Sequence, residues 1–301
     1  MAFNFKAALA SMDSNNKNLA TALVDIIDNP AFDATLSKEQ VASLLAVSGL
    51  TMSDLTLALL PLATSLSISS ISNFSVGAIA TGLSGRLYFG ANMEFENVPL
   101  SHSVHAEQSA ISHAWLKGEL GILNISVNYS PCGHCRQFMN ELSSANELSI
   151  QLPNHELQML QHYLPDSFGP QDLATSRRLM DQQAQSYAFN DRASEGQLAQ
   201  AALAAMNLSY APYSQYYCGI ALELSSGAIF QGRYAENAAF NPSLSPLQVA
   251  LVQIVMAGQT VKDVVRAILV ENTNSQISYA KEIEGLLYSL NENIEFACIS
   301  V

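Results

Sequence analysis

Two stretches of this chain repeat one another at a fixed distance. FSVGAIATGLSGRLYFGANMEF, from Phe74, aligns without a gap on YYCGIALELSSGAIFQGRYAEN, from Tyr216. Gly77, Gly85, Gly90 and Glu94 fall on Gly219, Gly227, Gly232 and Glu236, a constant offset of 219 − 77 = 142. Three glycines and one carboxylate held at a single offset within matching apolar runs mark a duplicated domain. Each copy reads as two strands around a glycine-containing turn, Leu-Ser-Gly in the first, because β-favouring residues are broken by glycine where the backbone must reverse. Helical text follows each hairpin, VHAEQSAISHAWL in one copy and LSPLQVALVQIVMAG in the other. Strand, strand, helix, strand, helix is an α/β arrangement.

The rest of the chain divides around the repeat. Residues 1–51 read as a small helical region, with Ser37 and Gln40 as a capping box. A second helix start is Thr51 with Asp54, leading into LTLALLPLATSL, where Pro61 is expected to bend or end the helix. Residues 52–153 hold the first copy, 154–192 a polar connector and 193–301 the second copy. At 301 residues with 49% hydrophobic and 13% charged residues, the chain can bury a large core. The run from Leu55 to Ser69 contains Pro61 and several hydroxyl residues, is too short to span a bilayer, and is expected to be a core helix. No secretory signal is visible in MAFNFKAALASMD. Only four cysteines are present, two of them in a tight pair, which fits metal chemistry in a reducing, cytosolic compartment.

Three segments of the first copy carry the chemistry: His105-Ala106-Glu107 at one helix start, Pro131-Cys132-Gly133-His134-Cys135 at another, and ILNISVNYS between them. His-x-Glu followed by Pro-Cys-x-x-Cys is the signature of the zinc deaminases. Two thiolates and one imidazole give zinc three ligands and leave the fourth position to water. Zinc lowers the pKa of that water to about 7, so hydroxide is available to attack an electron-poor ring carbon. Glu107, two residues after His105, is placed to carry protons and not to ligate. Pro131 suits the first turn of the helix that presents Cys132 and Cys135. A Cys-x-x-Cys alone also fits a redox pair or a structural zinc site, and the upstream His-x-Glu decides between them. His102, His113 and His134 are expected to lie outside the ligand set.

These residues resemble the cytidine deaminase family, in its larger homodimeric form with a helical N-terminal region, a catalytic domain and a degenerate second copy. The resemblance implies two copies of a three-layer α/β/α domain with a mixed sheet, and one zinc ion per subunit held by His105, Cys132 and Cys135, with Glu107 as proton shuttle. By the same resemblance, Asn92 and Glu94 in GANMEF would hold the ribose 3′-hydroxyl, and Phe74 in NFSVGA would pack on the pyrimidine. Without it, Phe74 reads equally as core, and Asn92 and Glu94 as a polar turn. Phe168 and Phe240 match positions that complete the partner subunit's site in a homodimer. Ile71 stands before Ser72 where the family usually has proline. In the second copy the offset places Leu247 and Val249 opposite His105 and Glu107, and Cys218 and Cys298 lie too far apart for a Cys-x-x-Cys pair. That copy is expected to bind no zinc and to serve assembly.

The leading expectation is hydrolysis of cytidine and deoxycytidine to uridine and deoxyuridine with release of ammonia, a step of pyrimidine salvage. One alternative is a deaminase of RNA or single-stranded DNA. The net charge, 13 − 26 = −13, disfavours a nucleic-acid partner by repulsion, and no membrane partner is expected. Another alternative is a non-catalytic structural zinc protein, which has no need of the acid/base carboxylate Glu107.

Overall fold

A computed structural model describes residues 5–13, 16–189, 196–273 and 275–301. The N-terminal region forms α1 (Lys6–Asp13), α2 (Lys17–Ile27) and α3 (Lys38–Ser48). Ser37 caps α3 by accepting from the Gln40 N–H, and the Gln40 side chain accepts from the Ser37 N–H, so the expected capping box is formed. Thr51 likewise accepts the Asp54 N–H to open α4 (Met52–Thr64). Pro61 removes one backbone donor but does not end α4, because Leu59, Leu60, Leu62 and Ala63 are all buried and hold the last turn against the core. Among the described residues no single helix is long and apolar enough to cross a membrane, and α3 meets α4 at a 103° bend. The short strand β1 (Thr35–Leu36) was not legible in the sequence, since two residues show no alternation.

The first copy contains the hairpin β2 (Gly77–Gly82) and β3 (Leu87–Ala91), then α5 (Ala106–Leu116), β4 (Ile122–Val127), α6 (Gly133–Met139), β5 (Ser149–Gln151), β6 (Gln158–Met159) and α7 (Leu160–Tyr163). Its sheet runs β1-β3-β2-β4-β5-β6. Every pairing is antiparallel except β4 with β5, which makes the sheet mixed. β6 lies beyond residue 153, so this sheet takes in the first residues of the polar stretch. The second copy has α8 (Gln197–Asn207), β7 (Cys218–Leu224), β8 (Ile229–Arg233), α9 (Pro246–Met256), β9 (Val264–Glu271), α10 (Ala280–Leu290) and β10 (Glu295–Ser300), with sheet order β10-β9-β7-β8. The expected boundary at 192/193 lies outside the described residues.

The repeated glycines explain the layers. Gly85 and Gly227 turn the two hairpins at φ 81° and 84°, the left-handed region that a side chain disfavours. Gly90 and Gly232 sit where a Cβ would collide with the backbone of α5 and of α9, respectively. On the opposite face, Gly77 and Gly219 permit the same close approach by α4 and α8. Each hairpin is therefore sandwiched between two helices, giving two α/β/α units.

The gapless offset holds through Glu236 and then changes. Val104 pairs with Met93 as Leu244 pairs with Ala235, and His105 and Ser245 are the next residues, the N-caps of α5 and α9. The true counterparts of His105 and Glu107 are thus Ser245 and Leu247, not Leu247 and Val249, because the second loop is shorter and the offset falls to 245 − 105 = 140. The copies join through these helix starts. Gln108 donates to the Pro242 carbonyl before α9, and Gln248 donates to the His102 carbonyl before α5, each at 3.1 Å. Glu141, fully buried at the end of α6, accepts from the hydroxyls of Tyr210 and Tyr213 and from the Ala238 N–H of the second copy.

His113, 1% exposed, is a core residue and not part of a metal site. Its Nδ1–H donates to the Phe89 carbonyl and its Nε2 accepts from the Thr35 hydroxyl, so the neutral ring is the one that fits. Burial pulls its pKa down to about 4. The unfolded chain then binds a proton near pH 6.5 that the folded chain refuses until about pH 4, so acidification across that window weakens the fold, by a few kcal/mol for this group. Denaturant titrations at pH 7 and pH 4.5 should show His113→Gln losing less stability on acidification than the parent chain. Equal losses would remove His113 from the pH dependence.

Candidate active site

Two helix starts bring the donor atoms together. His105 caps α5 and Cys132 caps α6, both with extended backbone, while Cys135 lies one turn into α6 and is fully buried. α6 begins at Gly133, so Pro131 precedes the cap and does not occupy the first turn; its carbonyl accepts from Arg136 Nε at 2.7 Å. The strand β4 spans the distance between the end of α5 and the start of α6, which returns the chain to His105. One donor atom from each of His105, Cys132 and Cys135 lies within 4.8 Å of the others, and Cys132 Sγ is 3.4 Å from His105 Nδ1.

The electrostatics of this cluster are those of a cation site. Hydrogen bonds from Cys135 and His105 bring the Cys132 thiol down to about 3, while the hydrogen bond with Cys132 and burial push Cys135 up. His105 is raised, chiefly by the Cys132 sulfur. Two sulfurs and one imidazole nitrogen thus compete for protons in one small space, and a soft-to-borderline divalent ion satisfies all three at once. Glu107, in the first turn of α5, is only 4% exposed; burial raises its carboxyl, which hydrogen-bonds to Cys135. His134 stacks on His105 with ring centres 5.4 Å apart and meets Gln108 Nε2 at 3.2 Å. His102 lies 3.6 Å from Glu282. Neither belongs to the donor group.

The cluster opens into a cavity of about 640 Å³ whose walls include Phe74, Asn92, Glu94, Glu107, His105 and Cys132. Among the described residues its lining holds two carboxylates and no lysine or arginine. Phe74 is half exposed and packs on Tyr129 at 4.6 Å between ring centres. Asn92 holds that aromatic in place, donating to the Phe74 carbonyl and accepting from the Val76 N–H. Glu94 accepts from the N–H groups of Ile71 and Ser72, both at 2.9 Å, and from the Ser72 hydroxyl. Burial works against its ionisation, but these hydrogen bonds outweigh it and hold the carboxyl below the usual range. Ile71 supplies an N–H that a proline there would lack. Tyr129 and Ser130, the last residues of ILNISVNYS, also line the cavity, and their place directly before the Pro-Cys motif is the signal that points to them.

Phe168 and Phe240 are not among the cavity's lining residues. They are 47% and 63% exposed, Phe168 on a loop whose carbonyl accepts from Gln137 and Asn140, Phe240 with left-handed backbone at φ 60°.

The second copy keeps the scaffold and fills the hole. Glu236 accepts from the N–H groups of Tyr213 and Ser214, as Glu94 does from Ile71 and Ser72. Tyr216 and Tyr234, the counterparts of Phe74 and Asn92, pack with Tyr279 just before α10, with ring centres 5.3 to 5.9 Å apart. Leu247, fully buried, stands where Glu107 would be.

Two family models, both described as the cytidine and deoxycytidylate deaminase zinc-binding region, match residues 53–150 and 160–284. A cytidine deaminase of Vibrio vulnificus is 51% identical over 301 residues, covering 100% of both chains. The chain belongs to the cytidine deaminase family. The cytidine deaminase of Vibrio parahaemolyticus is 50% identical over 283 residues, 94% of this chain and 95% of that one. A solved cytidine deaminase from Burkholderia pseudomallei is 25% identical, covering 40% of this chain and 100% of that one, with a TM-score of 0.35. The family's larger, two-domain form accounts for the duplication, and this chain is an enzyme of that form. Zinc is its cofactor.

Proposed function

We propose that the chain hydrolyses cytidine and deoxycytidine to uridine and deoxyuridine with release of ammonia, a reaction of pyrimidine salvage. One juxtaposition supports this most directly: a buried carboxylate, Glu107, beside a two-sulfur, one-imidazole donor set at the floor of a cavity that suits a nucleoside. His105, Cys132 and Cys135 would hold zinc, which when bound acidifies water and makes a nucleophile available at neutral pH. Glu107 accepts the proton of the attacking water and passes it to the ring nitrogen next to C4, then takes the proton of the newly added hydroxyl and delivers it to the departing amine as the carbonyl forms. Its burial favours the protonated form, which suits a group that must give the proton back. Phe74 stacks on the pyrimidine, with Asn92 fixing its backbone. Asn92 and Glu94 take the ribose 3′-hydroxyl.

The absence of lysine and arginine among the described residues of the cavity lining favours an uncharged nucleoside over a phosphorylated or polymeric substrate. Phe168 and Phe240 close the partner's cavity in a homodimer, a role that suits two exposed aromatics outside their own chain's site. Incubation with cytidine, deoxycytidine, deoxycytidylate and a cytosine-containing oligonucleotide, followed by ammonia, tests the reading. Release from the nucleosides is expected; release from the oligonucleotide alone would contradict it.

Glu94→Ala should raise KM for cytidine about tenfold or more, through loss of a charged partner to a sugar hydroxyl. Glu236→Ala removes the matching backbone cradle in the second copy and should leave KM unchanged. A matching rise in both variants would assign Glu94 to loop structure alone.

A further inference from the structure

Arg233 ends β8 opposite Gly219, the place that Ala91 occupies opposite Gly77 in the first copy. A fold that closes over alanine in one copy has no need of a guanidinium in the other. Arg233 is only 8% exposed and, among the described residues, has no carboxylate partner. Its guanidinium lies 4.0 Å from the centre of the Trp115 ring, and Nη2 donates to the Trp115 carbonyl. Nε is buried without a partner. Burial lowers its pKa to about 10, and no nearby acid offsets that effect. The indole face compensates such a charge only in part, by about 2 kcal/mol, and a buried cation without an anion is costly.

Arg233 borders a cleft of about 340 Å³ between the copies, walled by Trp115 from the first, Leu208 from the second, and Asp181 and Gln183 from the segment between them. Arg177 and Arg178 line a continuation that shares Trp115, Asp181 and Gln183. In a chain of net charge −13, Arg233 lines the cleft while Arg177 and Arg178 line the narrow continuation. The two carboxylates of the cleft already have partners. Asp181 accepts the Arg178 N–H, and Glu119 accepts the hydroxyls of Ser84 and Tyr88.

We infer that this cleft binds a small oxyanion, a phosphate monoester or a carboxylate, with Arg233 as its buried anchor and Arg178 in the narrow continuation beside it. A guanidinium offers paired N–H donors that match either group, and the cleft has the volume of a metabolite site. The site lies apart from the zinc cluster and shares none of the nucleoside cavity's lining residues.

The test uses the zinc-loaded protein with inorganic phosphate and with citrate, each against sodium chloride at matched ionic strength. Saturating anion should raise the thermal midpoint by about 3 °C or more, and calorimetry should give a matching affinity. Whichever probe binds identifies the oxyanion class. Arg233→Met keeps the stem over Trp115 and should weaken binding at least about tenfold, while Glu107→Gln should bind as the parent does. If Arg233→Met folds poorly, Arg178→Gln carries the test and should also weaken binding. No shift with either anion, or an unchanged affinity in the arginine variants, would overturn the inference.

Discussion

Glu107→Gln should retain one zinc per chain and lose about 10²- to 10⁴-fold in turnover, the range that a positioned general acid–base supplies. The amide preserves the shape of a side chain that is 4% exposed but cannot take up or return a proton. KM should move far less than turnover, since the proton transfers matter in the transition state and not in substrate binding. Turnover equal to the parent's, with metal content intact, would remove Glu107 from the mechanism.

Cys135→Ala should cost more. Cys135 is fully buried at the first turn of α6, and its sulfur is one of three donors drawn from two helix starts. Without it the site keeps one imidazole and one half-exposed thiolate, too few to hold a catalytic zinc ion. Metal content should fall well below one per chain, and turnover should drop beyond the roughly 10⁴-fold limit of the acid–base variant. Removing one sulfur from the core leaves the sheet and both helices in place, so the circular dichroism of the variant should match the parent's. A variant with full zinc content and undiminished activity would show that another side chain supplies the ligand.

The chain's sequence carries the scaffold because the scaffold depends on positions where only glycine fits. Gly85, Gly90, Gly227 and Gly232 each answer a left-handed turn or a helix packed against the strand, so the duplication survives in letters as well as in shape. The donor cluster is legible for a related reason: a metal needs particular donor atoms, and the His-x-Glu and Pro-Cys-x-x-Cys spacings mark out His105, Cys132 and Cys135, which two helix starts bring together. Features that depend on distance across the fold are not legible. The two-residue strand β1 exists only because β3 offers it an edge. The shortened loop before α9, which moves the counterpart of Glu107 from Val249 to Leu247, became visible through the paired bridges Met93 to Val104 and Ala235 to Leu244. Likewise, three tyrosines from separate segments fill the second copy's cavity, and a lone Arg233 in a strand gives no hint of Trp115 stacked against it.

That filling gives the degenerate copy a physical role. Its retained carboxylate, Glu236, fixes the same loop as Glu94 without a cavity to serve, and Gln108 and Gln248 lock the two helix starts together. The second copy thus buttresses α5, the helix that presents both His105 and Glu107.

Metal analysis of the purified chain, combined with chelation and readdition, bears most directly on this account. One zinc per chain is predicted, with cytidine turnover abolished when the metal is stripped and restored when zinc is returned. Protein that turns over cytidine at full rate with no stoichiometric zinc, before and after chelation, would contradict it.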